Sequence, residues 1–169
     1  DALSVTMPLK ERVVEICDEL DDVALRVGAV NSIVWREGRI AGTNTDGRGL
    51  LAAIAHEFGW SADGAHVVVL GTGGAAKSVI DACVEAGSAS VSVHGRNESA
   101  VSALREKYDR VRDEALVYRP IDLIVNTIPT TGRTPTADTL NGVTADTVAV
   151  DVTYDDGRSA WLATHAALG

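Results

Sequence analysis

Aromatic residues are scarce in this chain. Three Trp, three Tyr and one Phe make up 4% of its 169 residues. That scarcity argues against a sandwich held by aromatic packing and leaves Ala, Val, Leu and Ile to fill an α/β core. Cysteine is limited to Cys17 and Cys83, too few for a disulfide framework, and both lie among apolar residues at helical spacing. They are expected to be buried free thiols in a reducing, cytoplasmic setting. Basic runs are lacking too. Fifteen Lys and Arg against 24 Asp and Glu give a net charge of −9. This argues against nucleic acid or an anionic membrane as partner, since both need cations to neutralise phosphates. No apolar run reaches the roughly 20 residues that cross a bilayer, and the first residues do not read as a signal peptide. A hydrophobic content of 46% is nonetheless ample for a packed core.

What is present is a glycine corner. Residues 66–87, HVVVLGTGGAAKSVIDACVEAG, join Val67, Val68, Val69 and Leu70 to Gly71, Gly73 and Gly74, and then to an amphipathic helical pattern. A buried strand, a glycine turn and a helix in that order make a phosphate-binding corner. Read as G-x-G-x-x-A, it is a dinucleotide (Rossmann) corner. Gly71 then permits the turn, Gly73 lets backbone N–H groups approach a pyrophosphate, and Ala76 lets the helix pack closely. Read as a Walker A loop, the spacing to Lys77 and Ser78 fits, but Ala76 stands where the last glycine belongs. The dinucleotide reading is favoured, with a tight turn that binds nothing as the bland alternative.

Upstream, residues 3–7 read as a strand. Pro8 suits the first turn of a helix to about Leu20, with Val13, Ile16, Cys17 and Leu20 at helical spacing. A short helix is expected at 22–27. Strands at 29–35 and 39–43 flank Glu37-Gly38 as a hairpin. Asp46 opens a helix with Leu50, Leu51, Ile54 and Phe58 inward. The polar stretch 61–65 is the expected boundary between a first part, 1–60, and a second, 61–169. Beyond it, strands at 66–70, 90–94, 121–126 and 147–152 alternate with helices at 74–86, 98–107 and from about Ser159. The stretch before Ile121 reads as irregular, and a loop is expected at 129–136. This alternation implies a doubly wound parallel sheet with ligands at the carboxyl ends of its strands.

The tip of the second strand in that sheet bears on cofactor choice. It reads His94, Gly95, Arg96, Asn97, without the acid that usually holds an NAD ribose. Arg96 could take a 2′-phosphate through paired donors, with help from Asn97, which favours NADP over NAD. In the first part, Lys10, Asn31 and Asp46 sit at junctions between expected elements. Taken singly, a first-turn Asp is usually a helix cap and a Lys is usually solvated.

Together, however, S-V-T-M-P-L-K, G-A-V-N-S, N-T-D-G-R-G, G-T-G-G-A, V-N-T and D-V-T-Y stand in one order from Ser4 to about Leu162. In this the chain resembles the shikimate dehydrogenase family. The resemblance implies part of an α/β substrate domain followed by a Rossmann NADP-binding domain, with an active site in the cleft between them. It implies reversible reduction of 3-dehydroshikimate to shikimate by NADPH. Lys10 would be the catalytic lysine and Asp46 its partner, both also touching the substrate, with Thr6 and Asn31 bonding the substrate's hydroxyls and ring. Gly71, Thr72, Gly73, Gly74 and Ala75 would cradle the pyrophosphate, and Gly95, Arg96 and Asn97 would face the ribose phosphate. Val152 would line the nicotinamide site and Tyr154 the substrate side. The expected partner is one small polyhydroxy carboxylate, with no metal, and the protein is expected to be a monomer or homodimer. The roles make chemical sense. A lysine ammonium can protonate the alkoxide that forms as a ketone is reduced. A helix N-terminus beside it would disfavour its charge, and Asp46 would oppose that.

The sequence also departs from the family pattern. Ser4 replaces an Asn, Gly95 and Asn97 replace the Asn and Thr of an N-R-T cofactor clamp, and Asp155 follows Tyr154 in place of Pro. The family's serine motif and its late glycine and glutamine are not in the chain, so a fragment with weak or no turnover is expected. Quinate/shikimate dehydrogenase using NAD, and a non-catalytic dinucleotide-binding module, are the alternative readings.

Overall fold

A computed structural model describes residues 1–112, 120–129, 142–153 and 159–166. The chain divides into two compact units, Asp1–Ser61 with Gly73–Glu85, and Ala62–Thr72 with Ala86–Gly169.

The first unit holds a mixed sheet of β1 (Ala2–Ser4), β2 (Glu19–Leu20), β3 (Ser32–Arg36) and β4 (Arg39–Thr43), in the order β1-β3-β4-β2. With it go helices α1 (Asp22–Val27), α2 (Asp46–Phe58) and α3 (Gly74–Glu85). The hairpin forms as the sequence suggests. Trp35 faces Ile40 and Arg36 faces Arg39, and the turn residues Glu37 and Gly38 both take positive φ, 51° and 79°. Two such residues give the turn whose twist matches antiparallel strands. The Asp21 carboxylate caps α1 by accepting from the Ala24 N–H at 2.6 Å, and Gly28 ends it in the left-handed region at φ 68°.

The helix expected from Pro8 to Leu20 is not formed. A turn leads instead to a 3-10 helix at Arg12–Ile16, then to β2, and the opening strand stops at Ser4. The reason lies in backbone bonding to β4. The Asp18 N–H donates to the Ile40 carbonyl at 2.8 Å and the Asp21 N–H to that of Gly42 at 3.0 Å. The Asp18 carboxylate accepts the Ile40 N–H at 2.7 Å. Partners supplied by the sheet outweigh an apolar periodicity. Cys17, half-buried rather than on a helix face, has a thiol pushed up by burial and then by the Asp18 charge, so it stays protonated at neutral pH. Cys83 is buried and free, as expected.

The inner face of α2 also differs from expectation. Ile54 and Gly47 are buried, Leu50 and Leu51 are half-buried, and Phe58 is 64% exposed, next to the left-handed cap at Gly59. Gly47 is buried because α3 leaves no room for a side chain: a Cβ there would stand 2.0 Å from the Ser78 carbonyl oxygen. Farther along α3, Asp81 accepts both Nε and Nη2 of Arg26 at 3.0 Å. Lys77, the would-be Walker lysine, pairs with Glu11 at 2.7 Å.

The second unit is a five-stranded parallel sheet in the order β7-β6-β5-β8-β9, with α4 (Glu98–Lys107) and α5 (Ala160–Ala166). Its strands are β5 (His66–Leu70), β6 (Ser90–His94), β7 (Val111–Arg112), β8 (Leu123–Asn126) and β9 (Val148–Asp151). β7 falls in the stretch expected to be irregular; Val111 pairs with Val91 and is buried. The strands β8 and β9 are shorter than the expected spans. From β5 the chain builds outward through β6 and β7, then returns to add β8 and β9 on the other side. The order therefore reverses between β5 and β8, where open α/β sheets bind ligands at the carboxyl ends. Val68, Leu70, Ile121, Ile124 and Trp161 form the core beneath.

Candidate functional site

In the first unit, three of the candidate residues meet through their side chains. The Lys10 ammonium donates to Asp46 Oδ2 at 2.6 Å, and Asn31 Nδ2 donates to Asp46 Oδ1 at 2.7 Å. Each carboxylate oxygen therefore has its own donor. The Asn31 amide also donates to Thr45 Oγ1 at 3.0 Å, and its oxygen accepts the Thr45 N–H at 3.1 Å. Lys10 and Asp46 keep side-chain exposures of 18% and 27%. The pair is thus shielded enough to be oriented and open enough to reach a solute.

Local structure supplies these positions. Asp46 is the first residue of α2, where unpaired N–H groups favour a carboxylate. Asn31 immediately precedes β3, with its N–H bonded to the Thr43 carbonyl at 3.0 Å. Lys10 lies in a turn, two residues before the 3-10 helix at Arg12–Ile16, rather than in the first turn of a helix. Its backbone carbonyl accepts the Val30 N–H at 2.8 Å. Thr6 is exposed and adjoins Val5, whose N–H donates to the Asn31 carbonyl at 2.7 Å; the Thr6 side chain takes no part in the network.

Asn44 and Thr45 also belong to this network, although neither stands out among the candidate residues of the sequence. The Asn44 oxygen accepts the Asp46 N–H at 3.2 Å, and its amide donates to the Ala29 carbonyl at 2.8 Å. The signal was there in N-T-D-G, an Asn two residues before a helix start, which is the Asx-turn pattern. Among the described residues, no group of His, Cys, Asp or Glu could hold a metal.

In the second unit the candidates gather at strand ends. Gly71 takes φ +119°, and a Cβ there would fall 2.2 Å from Thr127 Oγ1, so only glycine fits. The Thr127 hydroxyl donates to the Leu70 carbonyl at 2.7 Å. Gly95 has no room either, because a Cβ would meet Thr72 Cγ2 at 2.7 Å. Arg96 is exposed, and among the described residues no hydrogen bond or ion pair engages its guanidinium. The Asn97 oxygen, in contrast, caps α4 by accepting from the Ala100 N–H at 3.2 Å and from the Ser99 hydroxyl at 2.7 Å. Val152, half-buried, donates its N–H to the Asn126 carbonyl at 3.0 Å. Tyr154 lies outside the described residues, as do 130–141, most of the expected loop. Of the remaining glycine-loop candidates, Gly73 and Gly74 belong to the first unit with Ala75. Gly73 is exposed with open space where a Cβ would point, while Gly74 faces Ala29 Cβ at 3.3 Å and Lys10 Cβ at 3.4 Å.

Asp151 organises the ends of β8 and β9. Its carboxylate accepts from Ser159 Oγ, from the Thr153 hydroxyl at 2.7 Å and N–H at 3.0 Å, and from Asn126 Nδ2 at 3.1 Å. Burial pushes its carboxyl up, but the bonds from Ser159, Thr153 and Asn126 together outweigh that and hold it below its ordinary value. The stabilisation is therefore fully present above the unfolded-state value near 3.9 and is lost as pH falls through the lower folded value. Asp151→Asn is expected to cost about 1–3 kcal/mol at neutral pH. Denaturant titrations of wild type and variant at descending pH should converge as the acid range is entered; a constant gap would refute the assignment.

The comparisons with known proteins point the same way. The sequence model of the family described as shikimate dehydrogenase substrate binding domain matches residues 1–33. The chain is 36% identical to the NADP(+) shikimate dehydrogenase of Methanopyrus kandleri, over 91% of the chain and 57% of that protein. Among solved structures, shikimate 5-dehydrogenase from Thermus thermophilus in complex with shikimate superposes with a TM-score of 0.82 at 31% identity, over 99% of this chain and 63% of that one. The ligand-free 5-ketofructose reductase of Gluconobacter sp. gives 0.76 at 27%, over 99% and 65%. The chain spans less than two thirds of the length of the curated relatives it matches.

Proposed function

Since this chain belongs to the shikimate dehydrogenase family, we propose that the protein interconverts 3-dehydroshikimate and shikimate with NADPH and NADP⁺. We further propose that residues 1–60 carry the substrate site and 61–169 the dinucleotide site, in a cytoplasmic monomer or homodimer. Among the described residues, no helix is long and apolar enough to cross a membrane. The observation that carries the reading is the Lys10–Asp46–Asn31 network, three residues distant in sequence and joined by bonds of 2.6 and 2.7 Å.

The residues present fit a dinucleotide. Gly71 makes the tight turn, its own N–H donating to the His94 carbonyl at 2.7 Å, and Gly73 has nothing in front of it, so the N–H groups of Thr72, Gly73, Gly74 and Ala75 would hold a pyrophosphate. Gly95, Arg96 and Asn97 would face the ribose, with Arg96 as the cation for a 2′-phosphate. Val152 would border the nicotinamide. When bound, NADPH supplies a hydride. The chain's own part is the proton. The Lys10 ammonium gives its proton to the developing alkoxide oxygen, so ketone, hydride and proton become alcohol, and takes it back in the reverse direction. Asp46 keeps the ammonium aimed, and Asn31 fixes Asp46. With 18% of its side chain exposed, Lys10 can be recharged from water. Thr6, Asn31 and Asp46 would bond the substrate hydroxyls, the Thr6 hydroxyl by donating or accepting and the Asn31 oxygen and Asp46 carboxylate by accepting, since the Asn31 amide protons already go to Thr45 and Asp46; Tyr154 would border the substrate.

Incubating the full-length protein with shikimate and NADP⁺ should produce NADPH. Quinate, or NAD⁺, should serve poorly, and preferred turnover of those would favour the alternative reading. Arg96→Ala should raise KM for NADP⁺ about tenfold while leaving KM for NAD⁺ nearly unchanged, the share expected of one charge-assisted contact. An equal effect on both coenzymes would remove Arg96 from phosphate recognition.

A further inference from the structure

Asn44 is 2% exposed, too deep to touch a solute, and both ends of its carboxamide are used. Its amide reaches the Ala29 carbonyl, two residues before Asn31, at 2.8 Å. Its oxygen takes the N–H of Asp46, two residues ahead, at 3.2 Å. A single side chain thus spans the two backbone segments whose own side chains meet as Asn31 and Asp46. The same strip is tied to the third member of the network, because the Val30 N–H donates to the Lys10 carbonyl at 2.8 Å. Nor does Thr45, the residue before α2, cap that helix with its side chain; the Asn44 oxygen instead accepts the N–H of its first residue, Asp46.

We infer that Asn44 is a positioning residue for the proposed reaction, setting the distance between Asn31 and Asp46 and so the aim of Lys10. It acts through backbone atoms and never contacts substrate, which separates its role from that of the three residues it holds. This rests on the reading of the site given above. A buried polar group satisfied at both ends is costly to disturb and geometrically exacting. An error of about 1 Å at a reacting group can cost on the order of 100-fold in rate.

Two variants of the full-length protein separate positioning from mere stability. Asn44→Ser keeps a short acceptor for the Asp46 N–H but cannot reach Ala29, whereas Asn44→Ala loses both bonds. For folded protein, kcat should fall about 10-fold in Asn44→Ser and about 100-fold in Asn44→Ala, with KM for NADP⁺ within twofold of wild type. Amide exchange at Asp46 should quicken in Asn44→Ala and stay slow in Asn44→Ser. Unchanged kcat in both variants, or an equal loss of stability with no loss of rate, would overturn the role of Asn44. A wild-type protein inert toward shikimate but with Asp46 exchange that depends on Asn44 would overturn the functional reading, and the positioning role of Asn44 with it, while establishing the clamp.

Discussion

Lys10→Ala should lower kcat for shikimate oxidation by about 10²–10⁴-fold, the range set by loss of a positioned acid–base group, with a smaller change in KM. Its size follows from the environment. The ammonium is held by the Asp46 carboxylate at 2.6 Å and keeps 18% of its side chain exposed, so it is both oriented and open to a solute. The fold should survive. Without Lys10, Asp46 still accepts from Asn31 at 2.7 Å, sits at the start of α2 and keeps contact with solvent. A partly exposed pair of this kind contributes about 1 kcal/mol or less to stability. Steady-state kinetics beside a thermal melt would check both halves. Wild-type kcat in the variant would dismiss Lys10 as the proton donor.

The second large effect is on stability. Gly47→Ala should destabilise the first unit by about 3 kcal/mol or more, above the usual overpacking range. A Cβ at 2.0 Å from the Ser78 carbonyl oxygen meets backbone, which cannot rotate away as a side-chain end can. Relief would require α2 and α3 to separate, and Asp46 stands in the same first turn as Gly47, so activity should fall with stability. Gly49 provides the control. It lies in the same helix with nothing within 4 Å of a Cβ, so Gly49→Ala should stabilise by about 0.5–1 kcal/mol through helix propensity alone. Denaturant unfolding of the two variants should give shifts of opposite sign. Shifts of the same sign would contradict the close approach of α2 to α3.

Local signals were legible in the sequence where the structure needs nothing from afar. Alternation and the Glu37-Gly38 turn announce the hairpin, and the run before Gly71 announces β5. Failures occur where a distant partner decides. Residues 18–21 pair with β4, about twenty residues on, and that pairing dissolves a helix the apolar spacing favoured. Gly47 reads as an ordinary helical glycine until Ser78 lies against it. The candidate site was legible for a different reason. Lys10, Asn31 and Asp46 were singled out by the order of six motifs, not by any local pattern, and the bonds among them span 15 and 36 positions. Asn44, held by a carbonyl 15 positions back, had no comparable marker beyond its place before a helix.

The central claim is that Lys10 and Asp46 act as one proton-handling unit, and a double-mutant cycle tests it most directly. Lys10→Ala, Asp46→Asn and the double variant of the full-length protein would be compared in kcat for shikimate with NADP⁺. Residues that work as a unit lose their effect together. The double variant should therefore be about as slow as Lys10→Ala alone. Losses that multiply would show that the two residues act separately, and would contradict the account.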